Sequence, residues 1–191
     1  MHYTKINTFT TDIDLFQYKG YPGKMYPGVT RDIWLRYYQF SKIDMYHQHF
    51  PKFTDIEPDT ILLAEITGKG YIGPHMDHGP KCVLNWYYNS NDCVTYFHNK
   101  KSGAKGITIA GEIQPNVFYT SDVTTVNEFT AKDNEIYLLN VSEIHSVNMP
   151  QQGVRRFVSL GWSQYSYDDI LESIRLYALR NQFGYLKSSA P

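Results

Sequence analysis

From about Thr60 to Trp162 the chain is cut into eight or nine short apolar runs, each ended within a few residues by Gly, Pro, Asn or Asp. Short strands with turn signals at regular spacing suggest a β-sandwich or a jelly roll. Composition points the same way. Aromatic residues make up 16% of the chain, 17 of them Tyr, and Tyr favours the pleated, half-buried surface of a strand.

The runs can be read in order. Ile61-Leu62-Leu63-Ala64-Glu65-Ile66 is a strand closed by Gly68 and Gly70, and Tyr71 to Asp77 is a second short run. Cys82 to Tyr88 is a third. The cluster Asn89-Ser90-Asn91-Asp92 then turns into Val94 to Phe97, so these two segments are expected to form a hairpin. Ile107-Thr108-Ile109, Asn116 to Tyr119 and Val123 to Phe129 are shorter candidates. Glu135 to Leu139 follows a turn at Asp133-Asn134, and Val154 to Trp162 is the last strand.

Helices are expected at both ends. Tyr21-Pro22-Gly23 and Tyr26-Pro27-Gly28 are turns, after which Asp32 opens a helical stretch with Ile33, Tyr37, Phe40 and Ile43 on one face, ending before Pro51. At the other end Ser166 is an N-cap, with Asp168 and Asp169 in the first turn where the helix dipole favours anions. Ile170, Ile174 and Tyr177 form a stripe suited to packing on a sheet, and Gly184 is a stop. The 191 residues are expected to form one domain: helical support over 1–58, a β core over 60–162 and a C-terminal helix over 163–191.

A net charge of −1 offers no cationic footprint for nucleic acid. No run approaches 18 apolar residues, and the first eleven residues have no apolar signal segment, so a cytoplasmic protein without a membrane span is expected. Cys82 and Cys93 are read as reduced, buried thiols.

Among seven histidines, His75 stands out. In an extended chain residues two apart share a face, so His75 and Asp77 present an imidazole and a carboxylate side by side. Such a triplet is expected ~0.4 times by chance in this composition, so alone it reads as a surface turn. His145 changes the balance. It follows the strand Glu135 to Leu139 and precedes Arg155-Arg156 at the start of an apolar strand. Two histidines and one carboxylate make the facial triad that holds iron(II) with positions left open. An Arg nearby can clamp a carboxylate bidentately. His78 is read as a solvated loop residue, His98 as part of a solvated charge run, and His47 and His49 as lying on different helix faces. Residues 100–106 are read as a surface loop.

Three segments in this order resemble the non-haem iron, 2-oxoglutarate-dependent oxygenases, and most of all their prolyl hydroxylase branch. They are His75-Met76-Asp77, His145-Ser146-Val147 and Arg156-Phe157-Val158-Ser159-Leu160-Gly161-Trp162. The resemblance covers roughly Ile61 to Trp162. It implies a double-stranded β-helix, that is a cupin-like jelly roll, flanked here by N- and C-terminal helices. It also implies Fe(II) held by His75, Asp77 and His145, with 2-oxoglutarate and O2 as cosubstrates. The distal carboxylate of 2-oxoglutarate falls to Arg156 if the count runs back from Trp162, and to Arg155 if it runs forward from His145. Arg156 is preferred, because insertions fall more readily in a loop such as Met149 to Gly153. Lys81-Cys82-Val83-Leu84-Asn85-Trp86-Tyr87-Tyr88 resembles a strand of that branch and offers Tyr88 as the helper, with Asn85 on the opposite face as its rival. The implied reaction hydroxylates a C–H bond of a peptidyl side chain or small metabolite while 2-oxoglutarate loses carbon dioxide to give succinate. The competing expectation is a cupin-like metal-binding or structural module that turns over nothing. Oligomeric state is not legible.

Overall fold

The computed structural model describes residues 1–8, 33–39, 52–109 and 112–187. The described part is mainly β, built as a curled eight-stranded antiparallel sheet with a helix packed on one face, and a separate two-stranded sheet. The strands are β1 (Tyr3–Thr8), β2 (Ile33–Gln39), β3 (Thr60–His75), β4 (Cys82–Asn89), β5 (Val94–Lys100), β6 (Ile107–Ile109), β7 (Glu112–Gln114), β8 (Val123–Thr130), β9 (Glu135–Leu139) and β10 (Ile144–Trp162). The helix, α1, spans Tyr167–Lys187. No described helix is long and apolar enough to cross a membrane.

Two long strands organise the sheet. β3 and β10 pair with each other along most of their length, and each contributes to two halves. One half runs β1-β9-β4-β10-β3-β2 and uses residues 153–162 of β10. In the other half, Ile144 to Asn148 of β10 pair with β5, which pairs in turn with β8. Both long strands break register at the same level. Pairing jumps from Met149 opposite Gly70 to Gly153 opposite Gly68, so β10 carries the longer segment. Extra residues on one strand bend the sheet. Gly68 and Gly70 accommodate the bend with φ of 132° and 147°, values costly for a residue with a Cβ. The strand expected to close at Gly68 and Gly70 runs on through them to His75, and the last strand starts at Ile144 rather than Val154.

Several other expectations are corrected. Residues 33–39 form a strand, not the start of a helix; 40–51 lie outside the described residues. Ile33-Trp34-Leu35-Arg36-Tyr37-Tyr38 is rich in β-formers, and pairing with β3 at the sheet edge decides its state. The strand β1, paired with β9, was not foreseen. β4 and β5 do not form a hairpin: β4 lies between β9 and β10 while β5 joins the other half. Asn91 and Asp92, with φ of 51° and 49°, send the chain from one half to the other. Within 116–119 only Val117 makes a bridge, to His75. α1 runs past Gly184 to Lys187.

The two faces of the sheet carry different cores. Against α1 pack Leu63, Leu84, Trp86, Leu138, Val158, Leu160 and Trp162, met by Tyr167, Ile170, Leu171 and Ile174 from the helix. The helix start is fixed by a reciprocal cap: the Asp169 amide donates to Ser166 Oγ, and the Ser166 amide donates to Asp169 Oδ2. Between the two halves lies a second, aromatic core. It joins Val83, Tyr87 and Tyr137 from one half to Phe97 and Phe129 from the other.

Candidate metal centre

His75 ends β3 and His145 is the second residue of β10; their Cα atoms are register partners. The next pair is Val147 opposite Ile72, so β3 holds one extra residue at Gly73-Pro74. This bulge turns His75 onto the face of His145, as bulges beside active sites often re-aim a side chain. The imidazole centroids are 4.4 Å apart. Asp77 lies just past the strand end, where its amide donates to Val141 O at 3.1 Å and the Met76 amide donates to Asn116 O at 2.8 Å. The ligand segment is therefore held on both sides by backbone bonds.

The three side chains converge. Asp77 Oδ1 is 3.5 Å from His75 Nε2 and 3.6 Å from His145 Nε2, and one ligand atom from each residue lies within 4.8 Å of the others. Each imidazole is oriented from behind. His75 Nδ1–H donates to Gly73 O at 2.8 Å, and His145 Nδ1–H donates to Glu143 O at 3.0 Å. With one proton fixed on Nδ1, Nε2 is the atom each ring offers to a metal, as the neutral tautomer requires. A divalent ion fits this donor set. The Asp77 side chain stays 35% exposed while that of His145 is 9% exposed, so the site opens on the aspartate side.

Electrostatics suit the same role. Burial, and then the neighbouring His75, pull His145 down to about 4, so it is a neutral donor at ordinary pH. Burial also acts to lower His75, but the hydrogen bond and charge of Asp77, with the Gly73 carbonyl, outweigh it and raise this imidazole. Burial pushes the Asp77 carboxyl up, yet the His75 hydrogen bond and the charges of His145, His75 and His78 hold it below the usual carboxylate range.

The remaining sequence candidates divide by strand alternation. Arg156 shares the face of Val158, Leu160 and Trp162, the helix side, where its Nε donates to Glu65 Oε2 at 2.9 Å. Tyr88 packs on the same side, edge-on to Trp86 at 5.8 Å. Neither is brought to the triad's side of the sheet. A count of six back from Trp162 preserves parity, and Trp162 is a core residue of the helix face.

Arg155 and Asn85, the rivals, lie on the inner face. Arg155 is 3% exposed. Its guanidinium sits 4.8 Å from the Tyr87 ring centroid and 5.3 Å from that of Phe157, and Nη2 donates to Thr95 Oγ1 at 3.3 Å. Among the described residues no carboxylate pairs with it. Arg155 Nε and Asn85 Oδ1 are buried without a hydrogen-bond partner, while Asn85 Nδ2 donates to Tyr87 Oη at 3.4 Å. Phe97 links this cluster to the triad, 6.1 Å from the His145 ring and in one core with Tyr87.

Thr95 and Tyr87 were missed as neighbours of the site. Alternation from Leu84 and Trp86 would have placed Tyr87 with Asn85; nothing in the sequence marks Thr95. His78 is exposed, 3.0 Å from Asn116 Nδ2. His98 lies on β5 and is buried, not on a solvated loop. His47 and His49 lie outside the described residues.

No protein-family model matches the chain, and no curated protein matches it in sequence. Among solved structures, an X-ray structure of Escherichia coli ycfD is similar at a TM-score of 0.42 and 13% identity, covering 85% of this chain and 42% of that one. A crystal structure of the Escherichia coli ribosomal oxygenase YcfD is similar at a TM-score of 0.37 and 11% identity, covering 84% and 40%. The chain spans about two fifths of the length of those structures.

Proposed function

We propose that the chain is an Fe(II)- and 2-oxoglutarate-dependent oxygenase on a double-stranded β-helix, hydroxylating a C–H bond of a peptidyl side chain or small metabolite. The observation that carries this reading is the triad: two imidazole Nε2 atoms and one carboxylate converge, each imidazole oriented by a backbone carbonyl. Two histidines and one carboxylate with open positions are the donor set of non-haem iron oxygenases.

Bound iron(II) would supply the oxidising chemistry, using O2 and the decarboxylation of 2-oxoglutarate to succinate. The chain's own residues bind and orient. His75, Asp77 and His145 hold the ion and leave the side beside the exposed Asp77 edge for cosubstrates. Arg155 takes the distal carboxylate of 2-oxoglutarate in place of Arg156. Its unpartnered Nε suits an acid, and the Tyr87 and Phe157 rings hold the guanidinium plane. Asn85 and Tyr87 add an amide and a hydroxyl. The aromatic core around them keeps water from the carboxylate. Two reduced, buried cysteines suit a cytoplasmic setting.

The test needs no substrate. Under anaerobic conditions, Fe(II) followed by 2-oxoglutarate should give a weak visible metal-to-ligand charge-transfer band that His145→Ala abolishes. Iron binding without the band would favour a metal-binding jelly roll that does not use 2-oxoglutarate.

A further inference from the structure

Directly behind His145, on the opposite face of β10, Ser146 is wholly buried. Its hydroxyl is the centre of a hydrogen-bond chain that crosses four strands. Tyr71 Oη on β3 donates to Ser146 Oγ at 2.8 Å. Ser146 Oγ also hydrogen-bonds His98 Nε2 on β5, at 2.7 Å. The other ring nitrogen, Nδ1, hydrogen-bonds Thr125 Oγ1 on β8 at 3.2 Å. Buried polar groups persist where every member is satisfied, and such networks fix one arrangement of the strands that carry them.

The backbone needs such a fixing at this place. Between the Gly73-Pro74 bulge and the break at Met149, β3 and β10 share only three register pairs: Val147 with Ile72, Asn148 with Tyr71 and Met149 with Gly70. Pro74 has no amide to donate to a ladder, and Gly73 has no side chain to pack. A slip of one residue in so short a stretch would turn His75 to the other face. The Tyr71–Ser146 bond spans the two strands that carry the ligand histidines, and the Ser146–His98 bond ties β10 to β5.

We propose that Ser146 is a positioning residue of the metal centre: tied to Tyr71 and His98, it latches β10 to β3 and β5 and holds His75 and His145 in ligating register. This rests on the metal-centre reading above. The latch does not touch the ion. It acts through the strands, and it sets how well the two Nε2 atoms converge.

The experiment uses Co(II) as the probe, with the full chain, at a temperature well below the unfolding midpoint of every variant. Co(II) affinity and the d–d absorption spectrum are read together, since the spectrum reports coordination geometry. The expected result is at least about a tenfold loss of affinity and an altered spectrum in Ser146→Ala, the range typical for groups behind metal ligands. Ser146→Thr, which keeps the hydroxyl on a residue suited to strands, should restore both. Tyr71→Phe removes one bond at the far end of the chain and should give a smaller change of the same kind; it decides the matter if Ser146→Ala does not fold. Wild-type affinity and spectrum in folded Ser146→Ala, or in Tyr71→Phe where that variant decides, would overturn the latch alone. Failure of the wild-type chain to bind Co(II) more tightly than His145→Ala would overturn the metal-centre reading as well.

Discussion

The two faces of one pair of strands, β4 and the second half of β10, are built for different ends. The helix face presents Leu84, Trp86, Val158, Leu160 and Trp162, all at most 2% exposed, and α1 closes it. The only hydrogen bond Trp162 needs is met, its indole donating to Ile56 O at 3.1 Å. The inner face presents Val83, Asn85, Tyr87, Arg155, Phe157 and Ser159. It is largely buried too, yet among the described residues it holds a cation without a carboxylate and an amide oxygen without a donor. Burying an unsatisfied polar atom costs about 1–3 kcal/mol. Under the proposed function, a bound acid supplies the partner that Arg155 lacks. The same backbone would then carry stability on one side and binding on the other.

Substitutions can separate the two. Trp162→Ala on the helix face should lower unfolding stability by about 3–5 kcal/mol, read by chemical denaturation, as expected for removing a fully buried indole. If the loss is small, the helix face is not the chief core. Arg155→Met on the inner face should have the opposite profile. Replacing an unpaired buried cation with an apolar side chain is neutral or stabilising to the fold, while 2-oxoglutarate affinity should drop about 100-fold, near 3 kcal/mol. A folded Arg155→Met protein with normal 2-oxoglutarate affinity would remove Arg155 from the site.

Proton competition gives a third, smaller effect. His75 carries a raised pKa and must lose its proton to ligate, whereas burial already keeps His145 neutral down to about 4. Metal affinity should therefore rise with pH until it passes the raised His75 value, then level off. Below that value about one proton is released per ion, which makes affinity change about tenfold per pH unit. Calorimetry in buffers of different ionisation enthalpy would count the proton. A flat profile between pH 6 and 7 would contradict the pairing of His75 with Asp77. The smallest effect belongs to the outer edge of the helix face. Ser166→Ala removes one side of the cap and should cost about 1 kcal/mol, with no change in metal binding.

Much of this was legible in the sequence, for a physical reason. His75 and Asp77 are two apart in sequence, so period-two spacing pointed to the pair, although Asp77 lies past the strand end and is held by backbone bonds. His145 was legible as the third member of the cluster, though not that a bulge at Gly73-Pro74 is needed to aim its partner. The Arg choice turned on counting where strand alternation was also available. From His145 the count gives Arg155, which lies inside. From Trp162 it gives Arg156, because any even count stays on Trp162's face. Residues 33–39 misled through spacing that also fits a helix, where β-rich composition and pairing with β3 prevail. The polar chain through Tyr71, Ser146, His98 and Thr125 has no local signature. Its members come from four strands, and only the curl of the sheet unites them.

The central claim is that the inner face holds a metal ion and an acid together. The most direct measurement is the affinity of 2-oxoglutarate for the protein with and without Fe(II), taken by calorimetry under anaerobic conditions. The account predicts saturable one-to-one binding in the presence of the metal and a large loss in its absence. Equal binding with and without metal, or no binding in either case, would contradict it.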